Sequence, residues 1–264
     1  MAALLGLSCV ASLFRVRTPP LPSGALLEVF EGVQLLHSQQ THPTTTLDDR
    51  HDEFADLLSV GGCMWPCAPA LCRWLAHEAE EGDWIRGARV LELGAGTGAV
   101  GLFCAGLGSR QVLLTDARQG LLPLQEANAR RNAAQLAEGS EVSSQRLRWG
   151  SDAAPRGPWE LVVGSDLTYT EEKEEMAALT ATLSELLSRG GSHPRVVLAH
   201  DHRGRRSRRG RVSSWDEGDS NLKTFIDEAT KRGLTIEQLR WEGASPEEQT
   251  EGCHEVSIIE VRQQ

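Results

Sequence analysis

The chain has no excess of basic residues: over 264 positions its formal net charge is −10. This excludes a general nucleic-acid binder, which presents a basic face, and suits a cationic ligand or a cationic protein substrate. The chain also lacks an apolar run long enough to span a bilayer. The stretch Ala2 to Phe14 is too short, and its arginines follow rather than precede it, so no membrane contact is expected. Of six cysteines, at 9, 63, 67, 72, 104 and 253, the close group Cys63, Cys67 and Cys72 has no histidine or fourth cysteine at zinc-ligand spacing. No metal is therefore expected, and reduced thiols point to the cytoplasm or nucleus. No acidic residue precedes Glu28. Residues 1–25 are accordingly read either as an organelle transit peptide or as a flexible leader ended by Thr18-Pro19-Pro20-Leu21-Pro22. No internal repeat is visible, and a monomer is expected.

What is present is an ordinary globular composition, 40% apolar and 24% charged, in a chain long enough for one large α/β domain. Short strands are expected within 26–36, then a helix from Pro66 to about Glu81 with Pro66 and Pro69 in its first turn. From Arg89 strands and helices alternate. Strands are expected at 89–93, 111–116, 144–149, 159–164 and 195–199, with helices at 98–107, 119–137 and 171–188 between them. A helix at 221–231 then precedes strands at 234–241 and 255–261, which are joined without a helix. This order predicts a Rossmann-like, doubly wound, seven-stranded sheet, mostly parallel, closed by an antiparallel C-terminal hairpin. The chain divides into the leader at 1–25, N-terminal strands and helix packed on the core at 26–87, and a ligand-binding core at 88–264. Inside that core, 203–211 holds six arginines in nine positions. It is read as a solvated loop, with contact to RNA or an acidic protein as the sharper alternative.

The chemistry concentrates where strands end. Val90-Leu91-Glu92-Leu93-Gly94-Ala95-Gly96-Thr97-Gly98 is a strand running into a glycine loop and a helix, the arrangement that turns backbone N–H groups toward a ligand. Gly94, Gly96 and Ala99 satisfy the dinucleotide fingerprint, so NAD is one candidate and a nucleoside without a pyrophosphate is the other. Asp116 lies 22 positions after Gly94, where a carboxylate accepts from ribose hydroxyls or caps the next helix. Trp149 can stack on an adenine or fill the core. Glu92 breaks an apolar run. An unpaired buried carboxylate is costly, so it asks for donors or a cation, which a sulfonium or α-ammonium group supplies and a pyrophosphate does not. Asp166 and Tyr169 end the fourth strand of the alternating core, beside the glycine loop. His200 and His202 are read as projecting to opposite faces of a solvated strand end, short of the ligands a metal site needs.

With these residues quoted, the chain resembles the seven-β-strand methyltransferases. Glu92-Leu93-Gly94-Ala95-Gly96-Thr97-Gly98, Asp116, Trp149-Gly150 and Asp166-x-x-Tyr169 carry the likeness. Trp65-Pro66 and Asp-x-x-Tyr narrow it to methyltransferase family 16, which holds many protein lysine methyltransferases and a few histidine and arginine ones. The likeness spans about residues 26 to 262. It implies S-adenosylmethionine as cofactor, held by Trp65, Glu92, Gly94, Gly96, Gly98, Asp116, Trp149 and Asp166. It further implies a protein lysine as acceptor, with Asp166 orienting the nitrogen and Tyr169 walling the channel. The arginine-rich insertion after the fifth core strand departs from the family pattern and leaves substrate identity open. A small-molecule or histidine/arginine methyltransferase, a non-catalytic S-adenosylmethionine-binding scaffold and an NAD-dependent oxidoreductase are the alternatives.

Overall fold

A computed structural model describes residues 14–31, 60–189, 194–202, 218–239, 250–251 and 254–264. The first described residues form an antiparallel pair, β1 (Phe14–Arg17) with β2 (Glu28–Glu31). This corrects the flexible-leader expectation for residues 14–25. Thr18 donates its N–H to the Leu27 carbonyl at 3.0 Å, and Leu21 is buried against the open Cα of Gly106. The prolines between the strands thus form a turn fastened to the body. Residues 1–13, where the transit-peptide reading falls, and the arginine-rich stretch 203–211, read as a solvated loop, lie outside the described residues.

The remaining elements follow the alternation. Helix α1 (Cys67–Glu81) comes first, then β3 (Arg89–Leu93), α2 (Ala99–Gly106), β4 (Gln111–Asp116), α3 (Leu122–Arg131), β5 (Glu141–Arg146) and β6 (Leu161–Ser165). Next are α4 (Lys173–Ser188), β7 (Arg195–Asp201), α5 (Ser220–Thr230), β8 (Leu234–Leu239), a two-residue β9 (Thr250–Glu251) and β10 (His254–Gln263). The sheet runs β5-β4-β3-β6-β7-β10-β8, with β9 paired to β10 off this path. Strands β3 to β7 are parallel, and β10 is inserted antiparallel between β7 and β8. The expected seven-stranded, Rossmann-like sheet with an antiparallel end is therefore present. One expected element is shorter: the helix foreseen over 119–137 is a 3-10 turn at Gln119–Leu121 followed by α3, which ends at Arg131.

Alternation along each buried strand feeds two apolar layers. Val90, Val112, Leu114, Val163 and Val197 face α1 and α2. Leu91, Leu93, Leu113, Val162 and Leu198 face α4 and α5. Because β3 is followed outward by β4 and β5 on one side and by β6 and β7 on the other, the strand order reverses between β3 and β6. In such sheets ligands sit beyond the carboxyl ends of the strands at that reversal. Here the two ends are the glycine loop and the segment from Ser165 to Tyr169.

Candidate active site at the strand-order reversal

The glycine loop turns three times through left-handed backbone, at Gly94 (φ 56°), Gly96 (φ 52°) and Gly98 (φ 80°). Each position is also closed to a side chain. A Cβ on Gly94 would stand 2.6 Å from Leu167 Cδ2 and 3.2 Å from Trp149 Cζ2, and one on Gly96 would stand 2.6 Å from the Gly61 carbonyl oxygen. The loop is thus wedged between the Trp149–Leu167 wall and the 3-10 turn Val60–Gly62 that leads to Trp65. Trp65 is half-buried just ahead of α1.

Asp116 ends β4 with its carboxylate held on both oxygens. Oδ2 accepts the Gly96 N–H at 3.0 Å and Oδ1 the Arg118 N–H at 3.0 Å. It makes a turn and a loop brace rather than the helix cap it was alternatively read as, since α3 begins only at Leu122. Two residues that sequence reading did not single out brace the loop from α3. Gln125 Nε2 donates to the Gly96 carbonyl at 3.2 Å, and Asn128 Nδ2 to the Thr97 carbonyl at 2.9 Å. The same Asn128 accepts from Phe30 N at 2.7 Å and donates to Phe30 O at 3.2 Å, docking β2 on α3. Their signal was buried amides on the core side of a helix.

Glu92 is placed differently from expectation. It is 1% exposed and its Oε2 accepts the Gly101 N–H at 2.8 Å. Burial pushes its pKa up to about 8, the N–H groups of Gly101 and Val100 act in the opposite sense, and the Asp116 charge raises it further. The donors that sequence reading sought in a ligand cation are therefore backbone donors of the first turn of α2. Those N–H groups have no intrahelical partner, and no side chain caps them at Gly98. This is also where a dinucleotide fold seats its pyrophosphate, so the occupied helix end disfavours NAD.

Across the crevice, Asp166 adopts left-handed backbone (φ 59°) and donates its N–H to the Ala199 carbonyl at 2.9 Å. A non-glycine residue held there stores backbone strain and points to function. It does not cap α4, which begins at Lys173 behind Glu172. Tyr169, the chain's one tyrosine, stands at the rim with 41% of its surface exposed. Its hydroxyl donates to Glu175 Oε1 at 2.8 Å, and its main-chain oxygen accepts from Asn221 Nδ2 at 2.9 Å. Partial burial, with the Glu175 carboxylate beside it, raises the phenol well above its usual range, so it is protonated at any working pH.

His200 and His202 also correct the sequence reading. Residues two apart on a strand share a face, and both rings are buried, 4.7 Å apart, each bonded to Asp219 Oδ2 at 2.9 and 3.0 Å.

A Rossmann-like sheet, a glycine loop without room for side chains and a carboxylate ending the adjacent strand define a nucleoside-binding protein of the methyltransferase arrangement. The chain belongs to the lysine methyltransferase family, whose model matches residues 46–214. It is 39% identical over 133 residues to the protein N-lysine methyltransferase METTL21A of Danio rerio, covering 50% of this chain and 57% of that one. It is 34% identical over 147 residues to the EEF1A lysine methyltransferase 3 of Mus musculus, covering 55% and 58%. The mouse histone-arginine methyltransferase METTL23 is 29% identical over 189 residues, covering 70% and 63%. The chain thus spans little more than half the length of these curated relatives. Among solved structures, a TehB-like SAM-dependent methyltransferase from Corynebacterium glutamicum superposes with TM-score 0.47 at 17% identity over 74% of this chain and 88% of that one.

Proposed function

We propose that the protein is an S-adenosylmethionine-dependent N-methyltransferase acting on a lysine side chain of a protein substrate. The observation that carries the reading is the pairing of the glycine loop with Asp116, whose carboxylate is oriented by the Gly96 and Arg118 N–H groups. A ribose diol is the ligand group that a carboxylate in that position recognises. The contact of the Trp149 ring with the Gly94 position fits a flat base beside the loop. Bound there, S-adenosylmethionine supplies an electrophilic methyl carbon on a sulfonium.

The chain's own residues then have positional work. Holding the acceptor nitrogen in line replaces a bimolecular encounter by a near-attack geometry. Asp166, fixed through its N–H to β7, orients that nitrogen by accepting its hydrogen bond, and the rim Tyr169 narrows the entrance. A lysine reaches reactivity only as the neutral amine. Its ordinary pKa of about 10.4 falls on desolvation in the crevice, beside a positive charge. The net charge of −10 suits a cationic substrate protein, and Cys63, Cys67, Cys72 and Cys104 are not joined in disulfides, which suits a reducing compartment such as the cytoplasm. No described helix is long and apolar enough to cross a membrane.

Calorimetric titration of S-adenosylhomocysteine and NAD into wild type, Gly96→Arg and Asp116→Ala tests the cofactor. Binding of S-adenosylhomocysteine by wild type is expected, weakened by about ten- to a hundredfold in Asp116→Ala through loss of charged hydrogen bonds. Binding of NAD instead overturns the reading. Transfer of tritiated methyl to lysate proteins, abolished in Asp166→Ala and recovered as methyl-lysine on hydrolysis, tests the reaction. Recovery as methyl-arginine, the target in the name of the mouse relative METTL23, would move the acceptor to arginine.

A further inference from the structure

Behind the Asp166–Tyr169 segment lies a buried polar cluster that the proposed reaction does not use. Thr168, His200, His202, Asp219 and Ser257 are each at most 5% exposed. Thr168 Oγ1 and His200 Nδ1 are 2.6 Å apart, His200 Nε2 and Asp219 Oδ2 2.9 Å, His202 Nδ1 and Asp219 Oδ2 3.0 Å, and His202 Nε2 and Ser257 Oγ 2.8 Å. Asp219 Oδ1 accepts the Leu222 N–H at 3.0 Å as the N-cap of α5, and Gln238 Nε2 donates to Ser257 Oγ at 3.0 Å.

The ligand atoms of His200, His202 and Asp219 lie within 4.8 Å of one another, which a metal ion could use. Proton accounting gives a different assignment. Burial works against the Asp219 charge, but the two imidazoles and the Leu222 N–H outweigh it and hold the carboxyl well below the usual range. An ionised carboxylate only accepts, so His200 carries its proton on Nε2 and His202 on Nδ1. In the neutral form each ring's other nitrogen accepts, His200 from the Thr168 hydroxyl and His202 from the Ser257 hydroxyl, while Ser257 accepts from Gln238. Every donor in the chain meets an acceptor without a cation.

Resting on the methyltransferase reading, we infer that His200 is a positioning residue: locked by Asp219, it holds the Thr168 hydroxyl and so fixes the strained Asp166 backbone from which the acceptor nitrogen is aligned. The geometry makes this specific. Thr168 is two residues from Asp166, whose N–H is tied to Ala199, the neighbour of His200 on β7. The segment is thus pinned to β7 once through backbone and once through a side chain. Asp219 joins the same anchor to α5, whose Asn221 holds the Tyr169 carbonyl.

The test compares Thr168→Val, which keeps the shape and loses the hydroxyl, with Thr168→Ser, which keeps the hydroxyl. Imidazole 15N spectra of the wild type are expected to show His200 protonated at Nε2 and His202 at Nδ1. Amide exchange at Asp166 is expected to rise roughly tenfold or more in Thr168→Val and to stay near wild type in Thr168→Ser, with the β4 amides unchanged in both. Methyl transfer at saturating S-adenosylmethionine should fall by on the order of 10- to 100-fold in Thr168→Val, with affinity for S-adenosylhomocysteine within about twofold and with Thr168→Ser restored. Equal exchange at Asp166 in both variants, the opposite tautomers, or stoichiometric capture of added Zn2+ with displacement of the imidazole protons would overturn the inference. A wild type that transfers no methyl would sink the methyltransferase reading and with it the catalytic purpose of the anchor, while the tautomers and the exchange data still decide whether the anchor exists.

Discussion

Gly101, in the first turn of α2, packs directly against β3 and β4. A Cβ there would stand 2.3 Å from Leu114 Cδ2, 2.7 Å from Glu92 Oε2 and 2.9 Å from Val112 Cγ1. Gly101→Ala should therefore destabilise the protein by about 1–3 kcal/mol through overpacking, read as a lower denaturation midpoint. Glu92 gives a second prediction. Its folded pKa of about 8 stands above the ordinary 4.5, so the folded state binds the proton more tightly than the unfolded chain. Stability is then full below about pH 4.5 and falls as pH rises toward 8, by up to about 1.4 kcal/mol per pH unit. Urea titrations at pH 6 and pH 8 should show this loss in wild type and a much flatter profile in Glu92→Gln. Such residues were only partly legible. Glu92 stood out as an acid in an apolar run, but its partners are backbone amides eight and nine positions on, and those partners are set by how α2 leaves the loop.

At the scale of elements, helix α3 does more than cover the sheet. Asn128 and Asn132 offer their side-chain amides to β2 as a strand edge would: Glu28 N donates to Asn132 Oδ1 at 2.9 Å and Asn132 Nδ2 to Glu28 O at 2.8 Å. Asn128→Ala removes three hydrogen bonds and leaves the buried Phe30 N–H without its acceptor, which should cost about 2–3 kcal/mol. Thermal unfolding checks the loss. Strands β3, β4, β6 and β7 were readable because buried parallel strands are short apolar runs with few rivals, whereas the polar, half-exposed β5 was expected about three residues too late, at 144–149. Of the β1–β2 pair, β2 fell within the strands expected at 26–36, but β1 and the docking were not legible, because the hairpin and its docking amides are separated by about a hundred residues. The histidine pair was misread in its alternation, since residues two apart on a strand share a face, and its orienting carboxylate, Asp219, lies far along the chain beyond the arginine-rich stretch.

For the whole molecule, the decisive feature is the reversal of strand order between β3 and β6, which brings loops far apart in sequence to one crevice. A ligand held there and absent from the unfolded chain stabilises by mass action, about 2.7 kcal/mol at a hundred times its Kd. S-adenosylhomocysteine should accordingly raise the melting temperature, and NAD at equal concentration should leave it unchanged. The docking of β2 gives that crevice a reach beyond its own walls. Glu31 accepts the Met64 N–H at 2.5 Å beside Trp65, while Asn128 grips both Phe30 and the Thr97 carbonyl in the glycine loop. A strand outside the main sheet thus reaches the Met64–Trp65 segment directly and the glycine loop through Asn128. Coupling free energies are reciprocal. Where cofactor binding tightens β2, whatever loosens β2 weakens the cofactor by the same factor, which would make the N-terminal hairpin a second handle on cofactor affinity.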